Sequence, residues 1–402
     1  MAVDTHPVDV VETEPALAES EALFKEAKRR ELRRRIRAAS VGIVALVVVA
    51  VTVYVATSGS NPHAPLPQTT TAPPKPRTAS PPSVGVRLKS PGAMAVGADE
   101  SLYVVDAARD QVISRTVGGK FTVVAGNGHR GFSGDGGAAT EAELSLSQYS
   151  GVVSAPNGIL YIADSGNDRV RALSPNGTIT TVAGDGSVGT LLSTEPALTA
   201  AIGGVSGLAL GPDGNLYIAA SNVVQLTPQG QLQWVAGSRA SFPPCGFMCN
   251  PATQLDFSDP DQLAFDGNGD LYVSGFDANG LYEMTSGGSL LYLGQLRGDG
   301  APAALAAAPD GSVVEAWRDG VSMRTATGST TPVSSHADQA LDSSLGRCCH
   351  DRYANVFIGG DGVAVAPYGD IFVDTNAGNS FTSESALVRL TPSGRVSVLW
   401  KS

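Results

Sequence analysis

The sequence predicts an all-β fold, a six-bladed β-propeller, and three observations lead there. The first is a recurring phrase. Leu160-Tyr161-Ile162-Ala163-Asp164 returns as Leu102-Tyr103-Val104-Val105-Asp106, as Leu216-Tyr217-Ile218-Ala219-Ala220 and as Leu271-Tyr272-Val273-Ser274-Gly275. It returns more loosely as Ile371-Phe372-Val373-Asp374, with a fainter unit near Val313-Val314. The second is turn chemistry. Pro156-Asn157-Gly158, Pro212-Asp213-Gly214-Asn215 and Asp266-Gly267-Asn268 precede the phrase, and Pro175-Asn176-Gly177 and Pro228-Gln229-Gly230 follow it. Asn-Gly and Asp-Gly between short apolar runs signal hairpins, because these residues tolerate φ > 0. The third is the spacing of roughly 40 to 60 residues per unit, each holding four short strands, which is the signature of propeller blades.

The chain in order begins with a polar stretch and then a segment of helical composition from about Glu14 to Arg37. Residues 1–37 end in a basic run that includes Arg33, Arg34, Arg35 and Arg37. Residues 38–57 (AASVGIVALVVVAVTVYVAT) are uncharged and mostly apolar. Twenty residues at about 1.5 Å each span roughly 30 Å, the thickness of a bilayer core. The reading is a single transmembrane signal-anchor helix. The flanking positive charges keep its N-terminus cytoplasmic, so the rest is extracytoplasmic at the cell membrane. A cleaved signal peptide is the alternative, but the lead is long and no Ala-x-Ala site precedes Thr57. Residues 58–85 are rich in Pro, Thr and Ser and read as an extended stalk. Residues 86–402 hold the propeller, with Val86-Arg87-Leu88 expected to add an outer strand to the last blade.

Four blades are followed by long connectors, 127–148, 185–204, 238–261 and 334–360. Connectors of that length inside a compact domain are functional or covering segments. The expectation is a binding rim built from His129, Arg130, Phe132, Asp135, Phe242, Phe247, His350 and Arg352. Packing over blade edges is the alternative reading of the same loops.

Two of the repeats also carry a family resemblance. Asn157 to Gly184, with D-S-G-N-D-R-V at 164–170 and T-T-V-A-G at 180–184, resembles the NHL repeat. The connector Gly131-Phe132-Ser133-Gly134-Asp135-Gly136-Gly137 is similar to linkers between bacterial NHL repeats. The resemblance covers most of 86–400 and implies a six-bladed propeller. In that family Tyr161, Asp164, Asn167 and Arg169 match residues that stitch a turn to neighbouring blades. The order of membrane helix, stalk and propeller resembles the sensor half of certain bacterial receptor kinases. The 37 residues before the helix cannot form a kinase, so a signal would need a partner.

Charge narrows the partners. The chain has a net charge of −11, yet residues 1–85 carry +2 and residues 86–402 therefore −13. An acidic propeller repels phosphates, so nucleic acid is not an expected partner. The function expected is a non-catalytic binding or sensor module for a protein, peptide or cell-envelope ligand. The alternative is a metal-dependent hydrolase or lyase, like lactonase-type or peptide-amidating propellers.

Individual motifs speak weakly for chemistry. Gly126-Asn127-Gly128-His129-Arg130-Gly131 and Gly184-Asp185-Gly186-Ser187-Val188-Gly189 match G-x-G-x-x-G but open no helix, so they read as blade punctuation rather than a dinucleotide loop. Asp266-Gly267-Asn268-Gly269-Asp270 resembles the start of a calcium loop without its remaining ligands. Glu283, Glu315 and Asp374 are carboxylates that no spacing singles out. No cofactor is expected, with calcium or zinc as the open alternatives. Cys245, Cys249, Cys348 and Cys349 are disulfide candidates outside the membrane, with three pairings open and a zinc site using His350 as the competing reading.

Overall fold

A computed structural model describes residues 86–189, 191, 193–237, 248–249, 260–275, 280–295, 304–317, 320–325, 328–333, 362–377, 384–392 and 395–401. The chain divides into two compact units, Met1–Thr78 and Ala79–Ser402. The first, with residues 38–57, lies outside the described residues, among which no helix is long and apolar enough to cross a membrane.

The second unit is an all-β, six-bladed propeller. Blade 1 is β1 (Pro91–Val96), β2 (Leu102–Asp106), β3 (Gln111–Arg115) and β4 (Phe121–Ala125). Blade 2 is β5 (Val152–Ser154), β6 (Leu160–Asp164), β7 (Arg169–Leu173) and β8 (Ile179–Ala183). After β9 (Glu195–Pro196), blade 3 is β10 (Leu208–Leu210), β11 (Leu216–Ala219), β12 (Val223–Leu226) and β13 (Gln231–Ala236). After β14 (Met248–Cys249), blade 4 is β15 (Pro260–Phe265), β16 (Leu271–Gly275), β17 (Gly280–Met284) and β18 (Leu290–Gln295). Blade 5 is β19 (Ala304–Ala307), β20 (Val313–Trp317), β21 (Gly320–Arg324) and β22 (Thr330–Pro332). Blade 6 is β23 (Val363–Val365), β24 (Ile371–Ala377), β25 (Glu384–Leu390) and β26 (Val396–Lys401). Within each blade the strands pair antiparallel in sequence order.

The inner strands β1, β5, β10, β15, β19 and β23 each touch the next, and β23 touches β1, which closes the ring. Each blade is built from consecutive strands, so no strand is exchanged to close it. Val86–Leu88 forms no strand, and the outermost strand of blade 6 is β26. Leu88 instead is buried with Met94, Ile113, Phe372 and Leu387 in the cluster that joins blade 6 to blade 1. Each such side chain contributes about 1.5–3 kcal/mol by leaving water.

The turns are type I with a left-handed residue completing a bulge, not the two-residue mirror turns that Asn-Gly suggests. In Ala155-Pro156-Asn157-Gly158, Gly158 N–H donates to Ala155 O at 2.9 Å and Ala155 N–H donates to Ile159 O at 2.8 Å. Only the glycine has positive φ, +82°. Asn157 serves through its side chain, whose Oδ1 accepts the Ile159 N–H at 3.1 Å. Blade 1 places Glu100 where the other blades place glycine, at φ 61°. A left-handed non-glycine residue costs about 1–2 kcal/mol. Glu100→Gly is therefore expected to raise the melting temperature, and an unchanged or lower value in a thermal melt would contradict that reading.

Candidate functional site

The inner strands begin where the blade connectors arrive, so connectors and A–B turns occupy opposite faces of the ring. At the connector face the ring is drawn tight by glycines. A Cβ on Gly362 would sit 2.0 Å from Gly92 O, one on Gly151 2.5 Å from Ser206 O, and one on Gly207 2.4 Å from Asp261 O. Gly151 N–H also donates to Ser206 O across the blade boundary at 2.9 Å. The space at this neck is only about 30 Å³, bordered by Gly151, Gly362 and Gln262. Toward the other face the channel widens to a cavity of about 270 Å³. Its lining is aliphatic with Met94 and Phe265, and Ser154 supplies the single polar side chain among the described residues around it. Among the described residues, no carboxylate or imidazole borders either space.

The described connectors run outward rather than toward the channel. In the first, Ala138 bridges Thr178 beside β8. In the second, β9 pairs with β13, the outer strand of blade 3. In the third, β14 pairs with β18, the outer strand of blade 4. The second and third each lend a short fifth strand to the following blade and cover an edge that would otherwise expose unpaired N–H and C=O groups.

The first two connectors are built alike. Gly126 N–H donates to Ala139 O at 2.9 Å and Asn127 N–H to Ala142 O at 2.8 Å. Gly184 N–H donates to Ala197 O at 2.8 Å and Asp185 N–H to Ala200 O at 3.0 Å. The G-x-G motif opens both, with φ of +88° at Gly126 and Gly184. Before it, Asp110 and Asp168 are left-handed at φ 50° and 49°. Their carboxylates accept the Leu146 N–H at 2.8 Å and the Gly204 N–H at 3.0 Å, respectively. The glycine motif is thus blade punctuation.

The densest polar construction joins the first connector to blade 2 through Arg171 on β7, whose side chain is fully buried. Its guanidinium donates to Asp164 Oδ2 at 3.2 Å, Asp135 Oδ1 at 2.8 Å and Ser133 O at 3.1 Å. Asp135 Oδ2 also accepts the Thr181 hydroxyl at 2.7 Å. Asp164 Oδ1 accepts the Ser145 N–H at 2.7 Å and Asn167 Nδ2 at 2.8 Å. Burial pushes the Asp164 carboxyl above its ordinary range, opposed by these donors and by Arg171. Asn167 Nδ2 also reaches Gly131 O at 2.7 Å. Over this network lies Phe132, 41% exposed. The Arg169 guanidinium is 3.9 Å from its ring centroid and that of Arg171 4.9 Å.

The same aspartate position recurs. Asp106 accepts the Lys89 and Ser90 N–H groups at 2.8 and 3.0 Å, and Asp374 accepts the Gly362 N–H at 2.8 Å. In blades 1, 2 and 6 this carboxylate grips the chain as it enters the blade.

The residues expected at the rim fall into two groups. His129, Arg130, Phe132 and Asp135 are exposed together on the first connector. Arg130 is anchored by Asp110 at 3.3 Å and by Leu146 O at 3.1 Å. Phe242, Phe247, His350 and Arg352 lie outside the described residues, as do Cys245, Cys348 and Cys349. Of Cys249 only the backbone is described, in β14. Tyr161 packs in the blade 2–3 cluster, and its hydroxyl pKa is raised by burial. Arg169 donates to Asn167 O at 2.9 Å and to Asp185 O. Glu315 is buried against Arg324, 2.5 Å away. Burial and the nearby Asp270 and Asp266 raise the Glu283 carboxyl. Asp266 is used within its own turn, accepting the Asn268 and Asp270 N–H groups at 2.8 and 2.9 Å. Among the described residues no three His, Cys, Asp or Glu side chains converge as a metal site. Sequence reasoning passed over Arg171, though an arginine inside the apolar run Val170–Leu173 is a signal for a buried ion pair.

No family model matches the chain, and no curated protein matches it. Solved structures with a similar fold include a streptogramin B lyase (12% identity, 79% of this chain and 85% of that one, TM-score 0.47). A virginiamycin B lyase from Staphylococcus aureus is similar at 11% identity over 77% of this chain and 83% of that one, TM-score 0.44. A gluconolactonase from Xanthomonas campestris is similar at 14% identity over 71% of this chain and 83% of that one, TM-score 0.46. Likeness at this level transfers no activity to this chain.

Proposed function

We propose that the chain is an NHL-type propeller that acts as a non-catalytic binding or sensor module, held outside the cell membrane by residues 38–57 and the stalk 58–85. Its partner is a protein, peptide or cell-envelope ligand, and it engages the exposed connector surface around Phe132. The observation that carries this reading is the contrast between the channel and the connector surface. The channel is bordered by aliphatic side chains with Ser154 and Gln262. The connector holds an exposed aromatic ring stacked on the Arg169 guanidinium, which is itself held by Asn167 O and Asp185 O. Rigid exposed aromatic and arginine side chains are the typical anchors of protein interfaces. A hydrolase or lyase of the metal-dependent kind would require several imidazoles or carboxylates turned into the channel.

Photo-crosslinking in cells tests the proposal. Benzoylphenylalanine in place of Phe132 is expected to give a discrete adduct, reduced at least about fivefold when Arg130→Glu is added. The control position is Val117, 66% exposed on the turn face. Equal adducts at both positions, or none at 132, would overturn the proposal.

A further inference from the structure

The wide end of the channel has a wall whose chemistry lies mainly in its backbone. Each inner strand is the edge strand of its blade. The bonds that close the A–B turns fix which of its groups are used: Gly97 N–H to Ser101 O, Ala155 to Ile159, Gly211 to Asn215, Asp266 to Asp270, Ala308 to Ser312 and Ala366 to Asp370, all 2.8–3.0 Å. Bonding alternates along an antiparallel pair. The next residue back therefore turns its N–H and C=O away from the second strand, toward the axis. By register these are Val96, Ser154, Leu210, Phe265, Ala307 and Val365, and again the residues two positions earlier. Six open strand edges thus surround a cavity of about 270 Å³.

These edges lack the usual protection. Natural edges are blunted by charge, proline or a covering segment. The outer edges of blades 3 and 4 are covered by β9 and β14, while the inner edges carry small and apolar side chains. Three lining residues per strand at about 3.3 Å each make the space about 10 Å deep, the length of about three extended residues. The neck closes it at the connector end. Around the mouth, the six turns at 97–101, 155–159, 211–215, 266–270, 308–312 and 366–370 carry Asp99, Glu100, Asp213, Asp266, Asp270, Asp310 and Asp370 and no Lys, Arg or His. Of these, Asp370 alone forms an ion pair among the described residues, with Arg389. Lys120 and Arg395 stand on the C–D turns, and Arg115 and Arg389 act on Tyr368 of the last mouth turn.

We infer that the wide mouth takes the end of an extended peptide segment, two or three small apolar residues deep, followed by a basic residue at the turns. Main-chain bonds to the open edges provide the grip, and the carboxylates select the basic residue, the division of labour seen in strand addition. This site is on the face opposite the connector surface and does not depend on it.

The test uses the full chain and two synthetic probes, acetyl-Ala-Val-Ala-Lys amide and acetyl-Lys-Ala-Val-Ala amide, which cover both directions of entry. Calorimetric titration is expected to show saturable binding of one of them. Glutamate in place of lysine, or N-methylation of the central amides, should weaken it about tenfold or more. Ala307→Trp, at an exposed position on the mouth, should do the same without altering the melting temperature. Phe132→Ala should leave this binding unchanged. No saturation at about 1 mM, or binding indifferent to N-methylation and to Ala307→Trp, would overturn the inference. Octylamine binding as well as the peptides would overturn it in favour of a simple apolar pocket.

Discussion

Arg171→Leu is expected to destabilise the propeller by about 3–5 kcal/mol, the usual cost of removing one partner from a buried ion pair. The parent guanidinium lies between Asp164 and Asp135 with no solvent exposure. Leucine would leave Asp164, itself fully buried, as a carboxylate with only the Ser145 and Asn167 donors. At roughly 2 °C per kcal/mol for a domain of this size, the melting temperature should fall by roughly 6–10 °C. The pH dependence has a definite sign. Burial already raises the Asp164 carboxyl, and losing Arg171 raises it further. A folded-state carboxyl pKa above the unfolded value means that the native state binds the proton more tightly. The deficit relative to the parent is therefore present above the folded pKa and shrinks as pH falls through it. Adding Asp164→Asn should recover part of the loss. Melts at pH 5 and pH 8 check both statements, and a deficit that grows on acidification would contradict the assignment.

Gly184→Ala should cost about 2–5 kcal/mol, combining left-handed strain with overpacking. At φ +88°, its Cβ would stand 2.3 Å from Asp168 O, 3.0 Å from Arg169 Cα and 3.1 Å from Ile202. Gly177→Ala separates the two contributions. Gly177 has φ +87° but nothing within 4 Å of a Cβ, so it should lose only about 1–2 kcal/mol. Denaturant unfolding of both variants would show the difference. Equal losses would mean that the close approach at the head of the second connector does not hold.

Much of this architecture is legible in the sequence because hairpin turns are local chemistry. Ala308-Pro309-Asp310-Gly311 marks blade 5 even where the strand phrase has faded, since the turn needs only a Pro, an Asx side chain and a left-handed glycine. Blades 2, 3 and 5 carry such a turn in full, and blades 1, 4 and 6 carry variants of it, at Gly97–Ser101, Asp266–Asp270 and Ala366–Asp370. What the connectors do is not local. Glu195 and Pro196 have no strand pattern of their own, and only β13, some 35 residues on, makes them a strand. The loops expected to ring the channel therefore turn out, where described, to run along outer edges. The exposed cluster at His129, Arg130, Phe132 and Asp135 was visible as residue types in a long loop. The Arg171–Asp135 pair beneath it was not, because it joins positions 36 residues apart. The open inner edges leave no side-chain signal at all, since backbone groups are the same in every sequence. Residues 38–57 and most of the cysteine chemistry lie outside the described residues, and the membrane anchor stays part of the proposal.

The proposed binding needs no metal. The most direct measurement is the melting temperature of the full chain with and without EDTA, followed by additions of calcium or zinc. The expected result is a melting temperature unchanged by chelator and by either ion. A fall with EDTA that one ion restores would contradict it, because it would reveal a native cation site and favour the metal-dependent hydrolase or lyase instead.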